Sequence, residues 1–131
     1  MTLILPVTLC LAAACALVNI WLGMRIGKIR HAASISVGDG GNEALIRRMR
    51  AQANFIEQAP LTLALVAAVE LAGKGGLWLA TASALFVIGR IAHAIGMDGN
   101  FRAGRPIGML TSMLFQLVLA VVAVLTALGK M

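Results

Sequence analysis

Four long apolar stretches in the 131-residue chain constrain its fold more than any other feature of the sequence. They cover approximately residues 2–24, 55–72, 77–97 and 107–128, each close to the roughly 20 residues that a transmembrane helix needs. Because lipid offers the backbone no hydrogen bonds, a segment that spans a membrane must be a helix or part of a closed barrel. The stretches are continuously apolar rather than alternating, which indicates helices. The sequence therefore predicts an all-α integral membrane protein, a bundle of four transmembrane helices.

Composition supports this fold class. Hydrophobic residues make up 60% of the chain and charged residues 12%, whereas soluble domains are roughly 45–50% apolar and about 25% charged. One small core cannot bury that excess, so the lipid bilayer must cover much of it. The length allows a single transmembrane domain, residues 1–131, with helices predicted at roughly 2–30, 42–73, 77–97 and 106–129.

The distribution of charge predicts the topology. Only Lys74 and Lys130 fall on one face of the predicted bundle, and the other nine basic residues fall on the opposite face. The positive-inside rule makes that face cytoplasmic, which places both termini in the periplasm of a multi-pass bacterial inner-membrane protein. The net charge of +6 does not indicate nucleic-acid binding, because the basic residues sit at the ends of apolar segments. No metal site is predicted, since no cysteine or second histidine lies near His93.

The densest polar cluster lies at the start of the second helix. Arg47, Arg50, Asn54 and Glu57 are spaced three, four and three residues apart, which places them on one helical stripe. Ionisable groups at membrane depth are costly and normally face the interior of a bundle. One interpretation is a structural ion pair between Arg50 and Glu57. The other is a binding site for a zwitterionic molecule, to which Asn54 adds a donor and an acceptor.

Two further clusters lie on the same membrane side. Arg90 and His93, three residues apart, share one face of the third helix, where the histidine is either a ligand contact or a structural group. Arg102 and Arg105 precede the fourth helix, where they either anchor the topology or bind a carboxylate or thiolate. No Ser–His–Asp arrangement is evident, so a nucleophile would have to arrive with the ligand.

These motifs resemble those of a known family. The helix 3 motif and the four-span layout resemble the MAPEG family, the membrane-associated proteins in eicosanoid and glutathione metabolism, and indicate a bacterial-type member. The helix 2 pattern resembles that family's signature, and it reads Arg47-x-x-Arg50-Ala51-Gln52-x-Asn54-x-x-Glu57-x-x-Pro60. The resemblance covers nearly the whole chain.

The resemblance implies a homotrimer that binds glutathione, as co-substrate, between neighbouring subunits near the cytoplasmic face. Arg105, with Arg102 as second candidate, would be the catalytic arginine that lowers the pKa of the glutathione thiol. Carried over by position, with Arg30 of the first helix added from a neighbouring subunit, the glutathione-binding residues would be Arg30, Arg50, Gln52, Asn54, Glu57, Arg90 and His93.

The resemblance implies a glutathione-dependent membrane transferase or peroxidase that acts on lipophilic electrophiles. Many members carry tyrosines where this chain has Gln58 and Met97, and the chain contains no tyrosine. That departure keeps a second function open, a non-catalytic MAPEG-like membrane protein that binds a lipid or a protein partner. A small multidrug exporter is disfavoured, because the first helix has no carboxylate within the membrane.

Overall fold

The computed structural model describes residues 3–131 and contains four α-helices in that range. They are α1 (Pro6–Ala33), α2 (Glu43–Leu71), α3 (Leu77–Met97) and α4 (Gly104–Ala127). All four are long and apolar enough to cross a membrane, which confirms the predicted all-α membrane fold. The predicted start of the first helix at residue 2 lies outside the described residues.

α3 has the predicted bounds, and the other three helices begin and end one to four residues away from theirs. α1 continues three residues beyond residue 30, to Ala33, and Ser34 then ends it in the left-handed conformation with φ of 54°. α4 begins at Gly104 rather than at residue 106. A Cβ at Gly104 would collide with the backbone carbonyl oxygen of Ala92, so only glycine lets α4 begin against α3.

α2 has clear local start and stop signals. The Asn42 side chain accepts a hydrogen bond of 3.0 Å from the Leu45 backbone N–H and caps the helix. Pro60 lies inside α2, and the helix continues through it to Leu71. Gly73 and Gly76, with φ of 73° and 116°, then form the tight turn that joins α2 to α3.

Polar side chains join helices within the bundle. The amide of Gln116 on α4 donates to the Gln58 side-chain oxygen and the Thr62 hydroxyl of α2, both at 3.0 Å. The hydroxyls of Thr111 and Ser112 on α4 do not link helices. They donate to the Gly108 carbonyl of their own helix, at 3.1 and 2.9 Å, because a helical hydroxyl reaches a carbonyl three or four residues back.

Glu70, near the end of α2, caps the beginning of α1. Its carboxylate accepts hydrogen bonds from the backbone N–H groups of Val7 and Thr8, at 2.9 and 2.8 Å, and from the Thr8 hydroxyl at 2.7 Å. These N–H groups belong to the first turn of α1 and have no acceptor within the helix. A carboxylate also interacts favourably with the positive end of the helix dipole. This contact joins α1 to α2 at the membrane face opposite the one that carries most of the arginines.

We expect Glu70→Ala to destabilise the protein, because it leaves these three donors without their acceptor. The expected loss is about 1–3 kcal/mol in the free energy of unfolding, measured by thermal denaturation in detergent. Glu43→Ala is the matched control, since Glu43 pairs only with Arg47 at the exposed start of α2 and such pairs contribute roughly 0–1 kcal/mol. Equal destabilisation by both variants would contradict a capping role for Glu70.

Candidate functional site

The first half of α2 distributes the predicted site residues over different sides of the helix. Arg50 and Glu57, seven residues apart, are both exposed on its outer face. Gln52 points toward α1 and donates to the Asn19 side chain at 3.2 Å. Asn54 points toward α3 and α4. The predicted stripe therefore has an outer part, Arg50 and Glu57, and an inner part, Asn54.

The side chain of Asn54 accepts a hydrogen bond from a buried guanidinium group. Arg90 on α3 is 2% exposed, and its Nη1 donates to the Asn54 side-chain oxygen at 2.5 Å. Within residues 3–131, the Nε and Nη2 groups of Arg90 have no hydrogen-bond partner. A buried cation with one neutral partner is under-solvated, because burial removes water and an amide does not neutralise the charge. The position therefore favours a nearby anion.

His93 lies one turn beyond Arg90 and is also buried. Gly108 of α4 packs directly against both residues. A Cβ at Gly108 would collide with the His93 Cβ and the Gly89 carbonyl oxygen, and would lie 3.1 Å from the Arg90 Nη2. Because α3 and α4 cross closely at Gly89 and Gly108, their packing fixes the positions of Arg90 and His93 within the bundle.

Glu57 differs from every other acidic residue in the chain. The other four carboxylates have partners: Asp39 accepts from Gly41 N–H, Glu43 pairs with Arg47, Glu70 caps α1, and Asp98 pairs with Arg25 and Arg48. Across the described part of the chain, Glu57 forms neither an ion pair nor a hydrogen bond. The ion pair between Arg50 and Glu57, considered above, is not formed. An unpaired carboxylate on an exposed helix face is therefore free to bind an external cation.

A second group of predicted residues lies on another surface. Arg30 and Gln52 line a groove of about 440 Å³ between α1 and α2. Arg30 also donates to the Gly38 carbonyl at 2.7 Å, which holds the first loop against the helix. The chain therefore presents Arg30 and Gln52 in this groove and Arg50 and Glu57 on the α2 outer face.

Arg102 and Arg105 are both exposed at the start of α4. Together with Arg47 they line a polar cavity of about 600 Å³ at the end of α3. Asp98 also lines this cavity, but Arg25 and Arg48 already neutralise its charge. The excess of positive charge suits the cavity to an anion.

The role of Asp98 was not predicted from the sequence. The carboxylate joins the end of α3 to Arg25 of α1 and Arg48 of α2. Arg25 is further held by Trp21, whose ring lies 4.6 Å from the guanidinium carbon. The available signal was the position of Asp98, an acidic residue directly after an apolar span on the face that carries nine basic residues.

The model of the MAPEG family matches residues 8–125, which is nearly the whole chain. No curated protein and no solved structure matches the chain.

Proposed function

The chain belongs to the MAPEG family, and from this premise we propose that it is a glutathione-dependent membrane transferase or peroxidase acting on lipophilic electrophiles. The observation that carries the proposal is Glu57, the acidic residue without an internal partner, exposed beside Arg50 on the outer face of α2. Glutathione carries one ammonium group and two carboxylates, so it requires an acidic and a basic contact.

The charged residues on the outer face of α2 also support the assembly of the chain into an oligomer. Glu57 lies 14 residues from Glu43 at the start of α2, about 21 Å along the helix axis. Glu57 also lies two residues inside the second apolar stretch, residues 55–72, where an ionisable side chain that faces lipid is unfavourable. The outward residues of α4, such as Leu114 and Leu117, are instead large and apolar. We therefore propose that α2 faces neighbouring subunits of a homotrimer and that α4 faces lipid.

The two surfaces described above complement each other across such an interface. The groove of one subunit presents Arg30 and Gln52, and the α2 face of the next presents Arg50 and Glu57. In this arrangement Glu57 accepts from the glutathione ammonium, and the arginines bind its carboxylates as charge-assisted hydrogen bonds. Neither surface alone offers this complete set of contacts.

The chemistry proposed for the site is nucleophilic attack by glutathione. The guanidinium of Arg105 stabilises the thiolate, as a positive charge does for cysteine. The sulfur forms a bond to an electrophilic carbon of a substrate dissolved in the bilayer. The thiol proton is released to water when the thiolate forms. The displaced electron pair then leaves on the departing anion or, where a ring opens, on an oxygen that takes a proton from water. The proposed topology places this site at the cytoplasmic face of a bacterial inner membrane, with both termini periplasmic.

We expect Arg105→Ala to lower turnover with a generic aromatic electrophile about tenfold, since one nearby positive charge shifts a thiol pKa by roughly one unit. Glutathione affinity should change little, because the peptide's own charges bind elsewhere. Steady-state conjugation assays at several pH values measure both. Arg102→Ala alters the second candidate, and a loss of turnover in that variant instead would assign the role to Arg102. If both variants behave like the wild type, neither arginine activates the thiol.

The second candidate function is a non-catalytic MAPEG-like protein that binds a lipid or a protein partner. One observation favours it. Gln58, where many members have tyrosine, is hydrogen-bonded to Gln116 and therefore directed toward α4 rather than the α2 outer face. A purified protein that binds glutathione but conjugates no electrophile supports this function, and turnover that depends on Arg105 rejects it.

A further inference from the structure

The polar cavity at the end of α3 carries more positive charge than the proposed function uses. Three arginines and one carboxylate line it, Arg47, Arg102, Arg105 and Asp98. Asp98 is already bound by two other arginines, and Arg47 pairs with Glu43. In the described part of the chain, Arg102 and Arg105 form neither an ion pair nor a hydrogen bond. If Arg105 stabilises the thiolate, the charge of Arg102 is left without a partner.

The level of Arg102 along the bundle places it outside the hydrocarbon core of a membrane. α4 has 24 residues and a length of about 36 Å, whereas the hydrocarbon core is about 30 Å thick. When α4 is centred in the bilayer, each of its ends extends roughly 3 Å beyond the core. Arg102 precedes the start of α4, so it then lies in the layer of the lipid head groups, which contains the lipid phosphates.

An exposed apolar surface runs along α4 from its first turn into the membrane. Ile107, Leu110, Leu114 and Leu117 are spaced three, four and three residues apart, which places them on one face of the helix, and all four are exposed. The aliphatic chains of a lipid can pack along this face while its phosphate lies near Arg102. A free phosphate ion would gain nothing from the apolar surface. This combination favours a lipid over a soluble anion as the occupant of the cavity.

The polar groups of the cavity restrict the head group of that lipid. A guanidinium binds phosphate oxygens through two parallel hydrogen bonds, and the exposed Asn100 side chain adds an amide donor. An ammonium group on the lipid would lie among three arginines, and this contact between like charges is unfavourable. The volume of about 600 Å³ lies within the roughly 300–1,000 Å³ typical of small-molecule sites. A phosphate with a small uncharged substituent therefore suits the cavity best.

We propose that this cavity binds the phosphate of an anionic phospholipid whose head group carries no positive charge. Arg102 is the main contact, and Arg47 and Asn100 are further contacts. Anionic lipids attract basic residues that lie near a membrane surface, and the cavity gives that attraction a defined position. The proposal rests on the orientation of α4 towards lipid proposed above. It does not depend on glutathione, so a chain that binds no glutathione can still bind the lipid.

The test compares two lipids on the purified full-length protein in detergent, without glutathione, by native mass spectrometry. The probes are phosphatidylglycerol and phosphatidylcholine with identical acyl chains. Wild type should bind phosphatidylglycerol roughly tenfold more tightly. Arg102→Gln should lower that preference about fivefold, as expected for the loss of one basic residue at a membrane surface. Equal binding of both lipids by wild type, or a preference that Arg102→Gln leaves unchanged, overturns the proposal.

Lys28→Gln is the matched control for Arg102→Gln. Lys28 is exposed on α1 at the same membrane face but does not line the cavity, and its replacement removes an equal charge. This variant should keep the wild-type preference for phosphatidylglycerol. An equal loss in the two variants would mean that the basic face attracts anionic lipid without a specific site, and it would overturn the proposal. Thermal denaturation establishes that each variant is folded.

Competition with soluble phosphate separates a lipid site from a site for any phosphate. Inorganic phosphate at the same concentration as the lipid should leave bound phosphatidylglycerol in place, because the free ion makes no contact with the apolar face of α4. Displacement of the lipid under these conditions would show that the cavity binds a free anion, and it would refute the assignment to a phospholipid.

Discussion

Replacing Glu57 with glutamine should weaken glutathione binding roughly 10- to 150-fold, the equivalent of the 1.5–3 kcal/mol of one charge-assisted hydrogen bond. Glu57 is the acidic residue on the proposed site surface, and no internal partner is lost when its charge is removed. Folding should therefore be unaffected. Isothermal titration of the purified protein in detergent with glutathione measures the affinity, and circular dichroism measures helix content.

Glu43→Gln is the matched control, because it removes an equal charge from the same helix at its exposed start. This variant should bind glutathione as the wild type does. Wild-type affinity in Glu57→Gln would show that the ammonium of glutathione is bound elsewhere. No measurable binding by the wild type at millimolar glutathione would overturn the proposed function itself.

The second large effect is expected at Gly108. The Cβ of Gly108→Ala would meet the Gly89 carbonyl and the Cβ of His93, so α3 and α4 must separate. Overpacking of this kind costs about 1–3 kcal/mol. Gly108 also contacts Arg90, which the family resemblance assigns to glutathione binding, so glutathione binding should fall together with thermal stability. Thermal denaturation and the titration above measure the two effects.

Gly27→Ala provides the comparison for Gly108→Ala. Gly27 is also a helical glycine, but a Cβ there meets nothing within 4 Å. Its replacement should leave stability unchanged or raise it by up to about 1 kcal/mol, since alanine favours a helix more than glycine does. Equal melting temperatures for the two variants would show that α3 and α4 are not held at contact distance by glycine.

The spans were predictable because each apolar stretch is long enough to cross a membrane and must then be helical. The helical period of 3.6 residues predicts in part which polar residues of α2 lie on its outer face and which lie on its other sides. Arg50 and Glu57 lie seven residues apart, nearly two turns, and face the same way. Gln52, two residues after Arg50, lies on almost the opposite side.

The remaining contacts join residues too far apart in sequence for local rules to predict. Glu70 meets Val7 and Thr8 across more than 60 positions, and Asp98 meets Arg25 across 73. Hydrophobic periodicity indicates which face of a helix is buried. It does not indicate which neighbouring helix that face contacts, or at what height along the helix axis. The contact of Gly108 with His93 and Arg90 depends on the relative height of α3 and α4, and therefore emerged only from the packed helices.

The central claim is that glutathione binds between two subunits, and mixed oligomers test it most directly. Arg30→Gln alters one proposed half of the site and Glu57→Gln alters the other, so each variant alone should lose tight binding. When the two chains are co-expressed in equal amounts and assemble at random, roughly a quarter of the subunit interfaces unite two unaltered halves. The account predicts that tight glutathione binding returns at about that fraction of sites. No recovery in oligomers shown by mass to contain both chains would contradict it.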